Sequence, residues 1–251
     1  MANFTEGLQK LPYFNEEDIP KHKVFLEHAD IDFLLYGKTT EFRVRTLMTK
    51  EPETLRWIDS FKAGEVLWDI GANVGCYSLY AASRGVKVIA FEPSPVNYWL
   101  LISNSAINNF SIYITALPFG LSNLTGVQIW QPNISAGSAD NQINTLKNGG
   151  CGLQTYRIDD LIAMNTLGFP THIKLDVDGI ERLILEGAEA TLADPRLRTV
   201  LCEVDESDEA EADAIEKLML SKGFSRPIKR HAPYFDAQHY APVFNHLFSR
   251  L

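Results

Sequence analysis

Four residues near one another in the chain have the types and spacing of a nucleoside site. Asp69, Gly71 and Gly75 lie in Val66-Leu67-Trp68-Asp69-Ile70-Gly71-Ala72-Asn73-Val74-Gly75, and Glu92 closes the run Val86-Lys87-Val88-Ile89-Ala90-Phe91-Glu92. The two glycines let the backbone approach a ligand closely, and an acid about 20 residues on is placed to accept from both hydroxyls of a ribose. The spacing is GxxxG rather than the GxGxxG of a dinucleotide fold. Asn73 stands where the middle glycine would clear room for a pyrophosphate. A nucleoside without phosphates, such as S-adenosylmethionine, needs only close backbone approach and a few donors. Asp69 then falls near the amino-acid part of such a ligand.

A second group of acids follows at Thr171-His172-Ile173-Lys174-Leu175-Asp176-Val177-Asp178-Gly179-Ile180-Glu181. Asp176 ends an apolar strand, and open α/β sheets place their ligands at the carboxyl ends of strands. It is the first candidate for a catalytic role as a base, with Asp178 and Glu181 behind it. His231, in a late loop, is the second candidate base. His172 begins its strand at the far end and is read as structural, as is Lys174, which pairs with an acid. Asp176-x-Asp178-Gly179 resembles the start of a calcium loop, but the continuation is helical and lacks the later ligands. No metal ligand is assigned; a divalent ion is compatible with the acids but not required.

Short β-branched runs at Val66–Ile70, Val86–Phe91, Ser111–Thr115, Thr171–Val177 and Arg198–Glu203 must position these residues. Helical stretches alternate with them, starting at Val74, Pro95, about Ile180 (to Leu192) and Ser207 as N-cap. Such alternation predicts an α/β fold with a parallel sheet and helices on both faces. Leu121 to Cys151 breaks the rhythm and reads as a hairpin with a mobile loop. The acidic run Glu203 to Asp213 reads as a solvated helix face. Residues 1–50 form an N-terminal extension whose aromatics, Phe4, Tyr13, Phe14, Phe25, Phe33 and Tyr36, pack on the domain formed by 51–251; the extension is also long enough to reach a second subunit of a homo-oligomer.

Of the 251 residues 45% are hydrophobic and 22% charged, which suits a globular chain. A formal net charge of -9 argues against a nucleic-acid partner. Three scattered cysteines, Cys76, Cys151 and Cys202, suit reduced, buried thiols. With no apolar stretch of membrane-spanning length and no signal-like start, the expected protein is cytoplasmic.

Several segments together resemble the FkbM family of class I methyltransferases. They are Trp68 to Ala82, Phe91-Glu92-Pro93-Ser94-Pro95-Val96-Asn97-Tyr98, Asn104 and Asn108, Ile173 to Glu181, and Leu185-Glu186-Gly187-Ala188, preceded by Glu51-Pro52-Glu53-Thr54. The resemblance implies a Rossmann-like, mostly parallel seven-stranded sheet and S-adenosylmethionine as cofactor, becoming S-adenosylhomocysteine. It also implies methylation of a hydroxyl on a sugar, glycoconjugate or natural-product acceptor. It adds Pro93 and Asn97 to Asp69, Gly71, Asn73, Gly75, Glu92 and Asp176 as cofactor-binding residues. Asp178 departs from the family, which more often has glutamate there; charge is kept and reach is shortened. Two other readings compete: a nicotinamide-dependent oxidoreductase, which also wants an acid at Glu92, and a non-catalytic binding protein on the same fold.

Overall fold

A computed structural model of the chain describes residues 18–27, 29–131, 135–138, 142–143, 150–177, 179–230 and 242–250. Strands β1 (Lys21–Val24) and β2 (Ile31–Leu34) form an antiparallel hairpin. The central sheet contains β3 (Val66–Ile70), β4 (Lys87–Phe91) and β5 (Ile114–Leu117). A smaller four-stranded sheet follows from β6 (Gly120–Leu121), β7 (Gly126–Gln131), β8 (Gln142–Ile143) and β9 (Cys151–Tyr156). The central sheet is completed by β10 (His172–Leu175), β11 (Thr199–Asp205), β12 (Ile228–Arg230) and β13 (Val243–Ser249).

The central order is β12-β13-β11-β10-β3-β4-β5, seven strands with β13 antiparallel to both of its neighbours. The chain runs outward from β3 through β4 to β5, then returns to place β10 on the other side of β3. The direction of winding thus reverses at β3, and a reversal opens a crevice at the carboxyl ends of the strands. Both faces are covered, which explains the near-continuous apolar strands. In β3, Leu67 packs on one side with Leu55, Ile58 and Leu79, while Trp68 and Ile70 pack on the other with Ile184, Ile215 and Met219.

The expected Ile180–Leu192 helix is two short ones, Glu181–Glu186 and Glu189–Ala193. The break falls at Gly187, where a Cβ would collide with the Ser122 carbonyl. The long excursion after Leu121 holds more strand than its Gly, Asn and Ser content suggests, because β9 pairs with both β6 and β7. Strand β10 ends at Leu175, short of Val177, so Asp176 belongs to the turn that follows. The last long helix, Glu209–Ser221, is capped by Asp208, whose carboxylate accepts from the Glu211 amide at 3.1 Å; Ser207 bonds Asp205 instead.

The hairpin is fastened to the helix Pro95–Ile107 by its asparagines. Asn104 accepts from the Leu34 amide (2.8 Å) and donates to the Val74 carbonyl (2.9 Å), and Asn108 bonds both backbone groups of Asp32. Of the extension's aromatics, Phe33 is fully buried, whereas Phe25 is 75% exposed, against expectation. Phe4, Tyr13 and Phe14 lie outside the described residues. Cys202 is buried as expected, but Cys151 is exposed on the edge of the small sheet.

Candidate active site

The glycine turn is built by the backbone. Gly71 (φ 84°) and Asn73 (φ 51°) adopt left-handed conformations, and the amides of Gly71 and Ala72 both donate to the Phe91 carbonyl at 3.0 Å. This ties the turn after β3 to the end of β4. A Cβ on Gly71 would strike the Asp176 carbonyl, so this glycine also admits the chain leaving β10. Gly75 (φ 91°) caps the helix Cys76–Ser83, and a Cβ there would meet Leu101 and Leu79 methyls at 2.6 and 2.7 Å.

Glu92 follows β4 and is 4% exposed. One carboxylate oxygen accepts from the Asn73 amide at 2.8 Å, the other from the Ser94 amide at 2.7 Å. Burial outweighs these bonds and pushes the Glu92 carboxyl up to about 7. Its oxygens keep lone pairs, and Glu92 lines a cleft of about 750 Å³ with Gly71, Asn73, Pro93 and Asp176. The remaining walls include Phe91, Phe119, Leu121, Trp130, Ile180 and Ile184, a mostly apolar lining.

Three of the expected cofactor residues stand behind the cleft wall instead. Asn97 accepts from the Gly137 amide (2.7 Å) and donates to the Ser138 carbonyl (3.1 Å), pinning the segment 135–138 over the glycine turn. The Asn73 side chain donates to the Gly137 and Ser138 carbonyls. Gly75 supports the helix start. Asp69, not quite at the strand end, is 1% exposed; one oxygen accepts from Ser78 Oγ at 2.5 Å and the other has no hydrogen-bond partner among the described residues. Burial raises the Asp69 carboxyl.

At the other end of the cleft, charge replaces backbone. Lys174 is 2% exposed, and its ammonium donates to Asp176 at 2.6 Å and sits 4.7 Å from the centre of the Tyr77 ring. Despite burial, the Lys174 ammonium beside it holds the Asp176 carboxyl down to about 2, and Lys174 itself is raised by Asp176, Asp69 and Glu51. Asp69 lies opposite Lys174 in the register of β3 and β10. Glu51 pairs with Lys50 at 3.0 Å and receives Asn245 at 3.4 Å. Leu175 pairs with Cys202, so Asp176 and Glu203 follow at the same level of adjacent strands. Loss of solvent, with Asp176 and Glu51 nearby, pushes the Glu203 carboxyl well above the carboxylate range.

A model of the FkbM methyltransferase domain matches residues 69–226. The chain belongs to the FkbM methyltransferase family. Similar proteins include the hexuronic acid methyltransferase AglP of Haloferax volcanii, 27% identical over 146 residues, 58% of this chain and 59% of that one. The 31-O-demethyl-FK506 methyltransferase FkbM of Streptomyces tacrolimicus is 27% identical over 197 residues, 65% of this chain and 74% of its own. A solved methyltransferase FkbM from Methylobacillus flagellatus KT shares the fold, with a TM-score of 0.54 at 19% identity over 75% of this chain and 44% of that one. The chain therefore spans less than two thirds of AglP and less than half of the solved protein. Membership of the FkbM family sets aside the oxidoreductase reading.

Within this FkbM-family cleft, Gly71, Asn73, Glu92, Pro93 and Asp176 come together as expected from sequence. Asp178 and His231 lie outside the described residues. Glu181 closes the turn after β10 by accepting from the Val177 and Gly179 amides. His172 is structural, stacked on Phe61 at 3.7 Å and bonded to Thr199 and Glu65. Lys174 pairs with an acid, Asp176, as expected, and also stands in the wall of a second pocket beside the cleft. Sequence reasoning missed Arg43, Lys50 and Glu203, which carry no motif, and Tyr77, which lies in the Trp68–Ala82 segment but was not singled out. Among the described residues no cluster of three or more His, Cys, Asp or Glu is arranged to hold a metal, and no helix is long and apolar enough to cross a membrane.

Proposed function

We propose that this chain is an S-adenosylmethionine-dependent O-methyltransferase acting on a hydroxyl of a sugar or natural-product scaffold. The observation that carries the reading is Glu92: a buried carboxylate held by two backbone amides, facing an apolar cleft, with lone pairs left for a ribose diol. The cofactor fits the remaining residues. Phe91, Phe119, Leu121 and Ile180 offer apolar walls to a purine. The acceptor class is supported by the two relatives, named for a hexuronic acid and for 31-O-demethyl-FK506.

Bound S-adenosylmethionine supplies a methyl group on a sulfonium that needs no further activation. The protein's work is to align the acceptor oxygen, exclude water and receive a proton. Asp176 was the first candidate base from sequence, but its ion pair with Lys174 keeps it ionised and a weak proton acceptor near neutral pH. It suits orienting an acceptor hydroxyl. Glu203, at the same level of the next strand, lies behind Asp176 rather than on the cleft wall. Transfer of a labelled methyl group to a panel of glycosides and polyols, read as a gain of one methyl by mass spectrometry, tests the reading. Methylation of any of them would dispose of the non-catalytic alternative. Failure across the panel, in protein that binds the cofactor, would favour it.

A further inference from the structure

Residues 135–138 fall between β7 and β8 but belong to neither strand; they lie over the glycine turn, where Ser138 joins Asn73 and Arg43 in the cleft wall. Side chains from three separate parts of the chain converge on the backbone of this segment. Asn97, in the helix Pro95–Ile107, accepts from the Gly137 amide and donates to the Ser138 carbonyl, and Asn73 donates to the Ser138 carbonyl at 3.2 Å. Arg43, in the last turn of the helix Lys38–Arg45, donates through Nε to the Gly137 carbonyl at 2.5 Å.

Gly137 is required by this arrangement. Its φ of 77° is left-handed, and a Cβ would stand 3.0 Å from the Thr40 amide nitrogen, so the segment lies directly against the helix that carries Arg43. Ala136 packs beside Ile19, Leu34, Val74 and Leu100. The segment, the N-terminal hairpin and the glycine turn are therefore one packed unit, tied a second time by Asn104 between Leu34 and Val74.

Side-chain hydrogen bonds, unlike a strand ladder, can be released without unfolding the elements that carry them, and cleft-closing segments are drawn from such weakly held parts of a fold. We propose that residues 135–138 are a strap that lifts to let the cofactor enter and leave the cleft, and that Arg43 is its latch. The inference rests on reading the cleft as the S-adenosylmethionine site. Arg43 is then a positioning residue, acting through the Gly137 carbonyl. Asn97 is a second latch on the far side, 1% exposed and out of reach of anything in the cleft.

The latch contacts join protein groups only, so loosening them weakens the closed strap alike in the free and in the loaded protein. Entry and exit then quicken by the same factor and the dissociation constant stays where it was, because a change common to both states shifts no equilibrium between them.

The test is stopped-flow mixing of the whole protein with S-adenosylhomocysteine, and dilution of the loaded protein, followed by tryptophan fluorescence, since Trp130 lines the cleft. Arg43→Met should raise both rate constants by about tenfold, the scale of one charge-assisted hydrogen bond, with a dissociation constant within about twofold of the parent's. Arg43→Lys should fall between the two, and Asn97→Ala should raise both rates as well. 5′-Methylthioadenosine, which lacks the amino-acid part, should show the same acceleration. Unchanged rates in folded Arg43→Met and Asn97→Ala would overturn the proposal. So would a faster exit alone, seen with S-adenosylhomocysteine and not with 5′-methylthioadenosine, since Arg43 would then hold the cofactor's carboxylate. Absence of S-adenosylhomocysteine binding to the parent chain is a separate result, and it would count against the cofactor reading first.

Discussion

The two ends of the cleft are made differently. At the Glu92 end, the partners are backbone amides and a left-handed turn, supplied by residues 71–75 and 91–94. At the Asp176 end, the partners are charged side chains drawn from residues 50, 51, 174, 176 and 203. A backbone-built end fixes shape and tolerates no added atom. A side-chain-built end fixes charge, and its strength depends on which groups carry protons.

The largest effect is expected where the backbone end can be broken by one carbon. Gly71→Ala adds a Cβ at φ 84° directly against the Asp176 carbonyl, where neither backbone can yield. Denaturant titration should show a loss of more than about 4 kcal/mol, or no folded protein. Stability close to that of the parent chain would mean the turn is not held as described.

The same question at the charged end is put by Lys174→Met. It leaves Asp176 and Asp69 without their cation, and breaking a buried pair in this way costs about 3–5 kcal/mol. Replacing both partners, Lys174→Met with Asp176→Leu, should recover part of that loss, because only Asp69 is then left without its cation. A double variant as unstable as the sum of the singles would indicate that the pair contributes shape rather than charge.

Much of the first end was legible in sequence and little of the second. Asp69 to Gly75 and Phe91 to Asn97 are contiguous, so the residues that cooperate are also neighbours in the chain. Even there, sequence placed Asn97 on the cofactor, whereas it fastens the segment 135–138 from behind. At the other end, Glu203 was one acid in a run that reads as a solvated helix face. Only the parallel register of β10 and β11 sets it level with Asp176. Strands β12 and β13 went unread because β12 is a three-residue edge strand of exposed residues and β13 carries polar residues, Asn245 and His246, in its middle. The mostly parallel seven-stranded sheet itself followed from alternating apolar runs and the family resemblance, because both faces of its strands are covered.

Acidity should separate the two ends by sign. Glu92 titrates at about 7 in the fold against 4.5 unfolded, so the folded chain holds the extra proton. Its contribution to stability is present below about 4.5 and is lost as pH rises through about 7, at most about 3 kcal/mol for a shift of this size. Asp176 runs the other way: its contribution is present above 3.8 and lost as pH falls through about 2. Thermal unfolding of the parent chain and Glu92→Gln across pH 4 to 8 should converge at the acid limit and diverge, with the variant more stable, above about 7. Parallel curves throughout would contradict a raised Glu92 carboxyl.

The smallest predicted effect bears most directly on function. Calorimetric titration of S-adenosylhomocysteine into the parent chain and into Glu92→Ala, side by side above pH 7, asks whether the buried carboxylate is the ribose acceptor. The account predicts saturable binding by the parent and a loss of about 1–3 kcal/mol in the variant, the value of charge-assisted hydrogen bonds to a diol. Equal dissociation constants, or no binding to the parent at all, would contradict it.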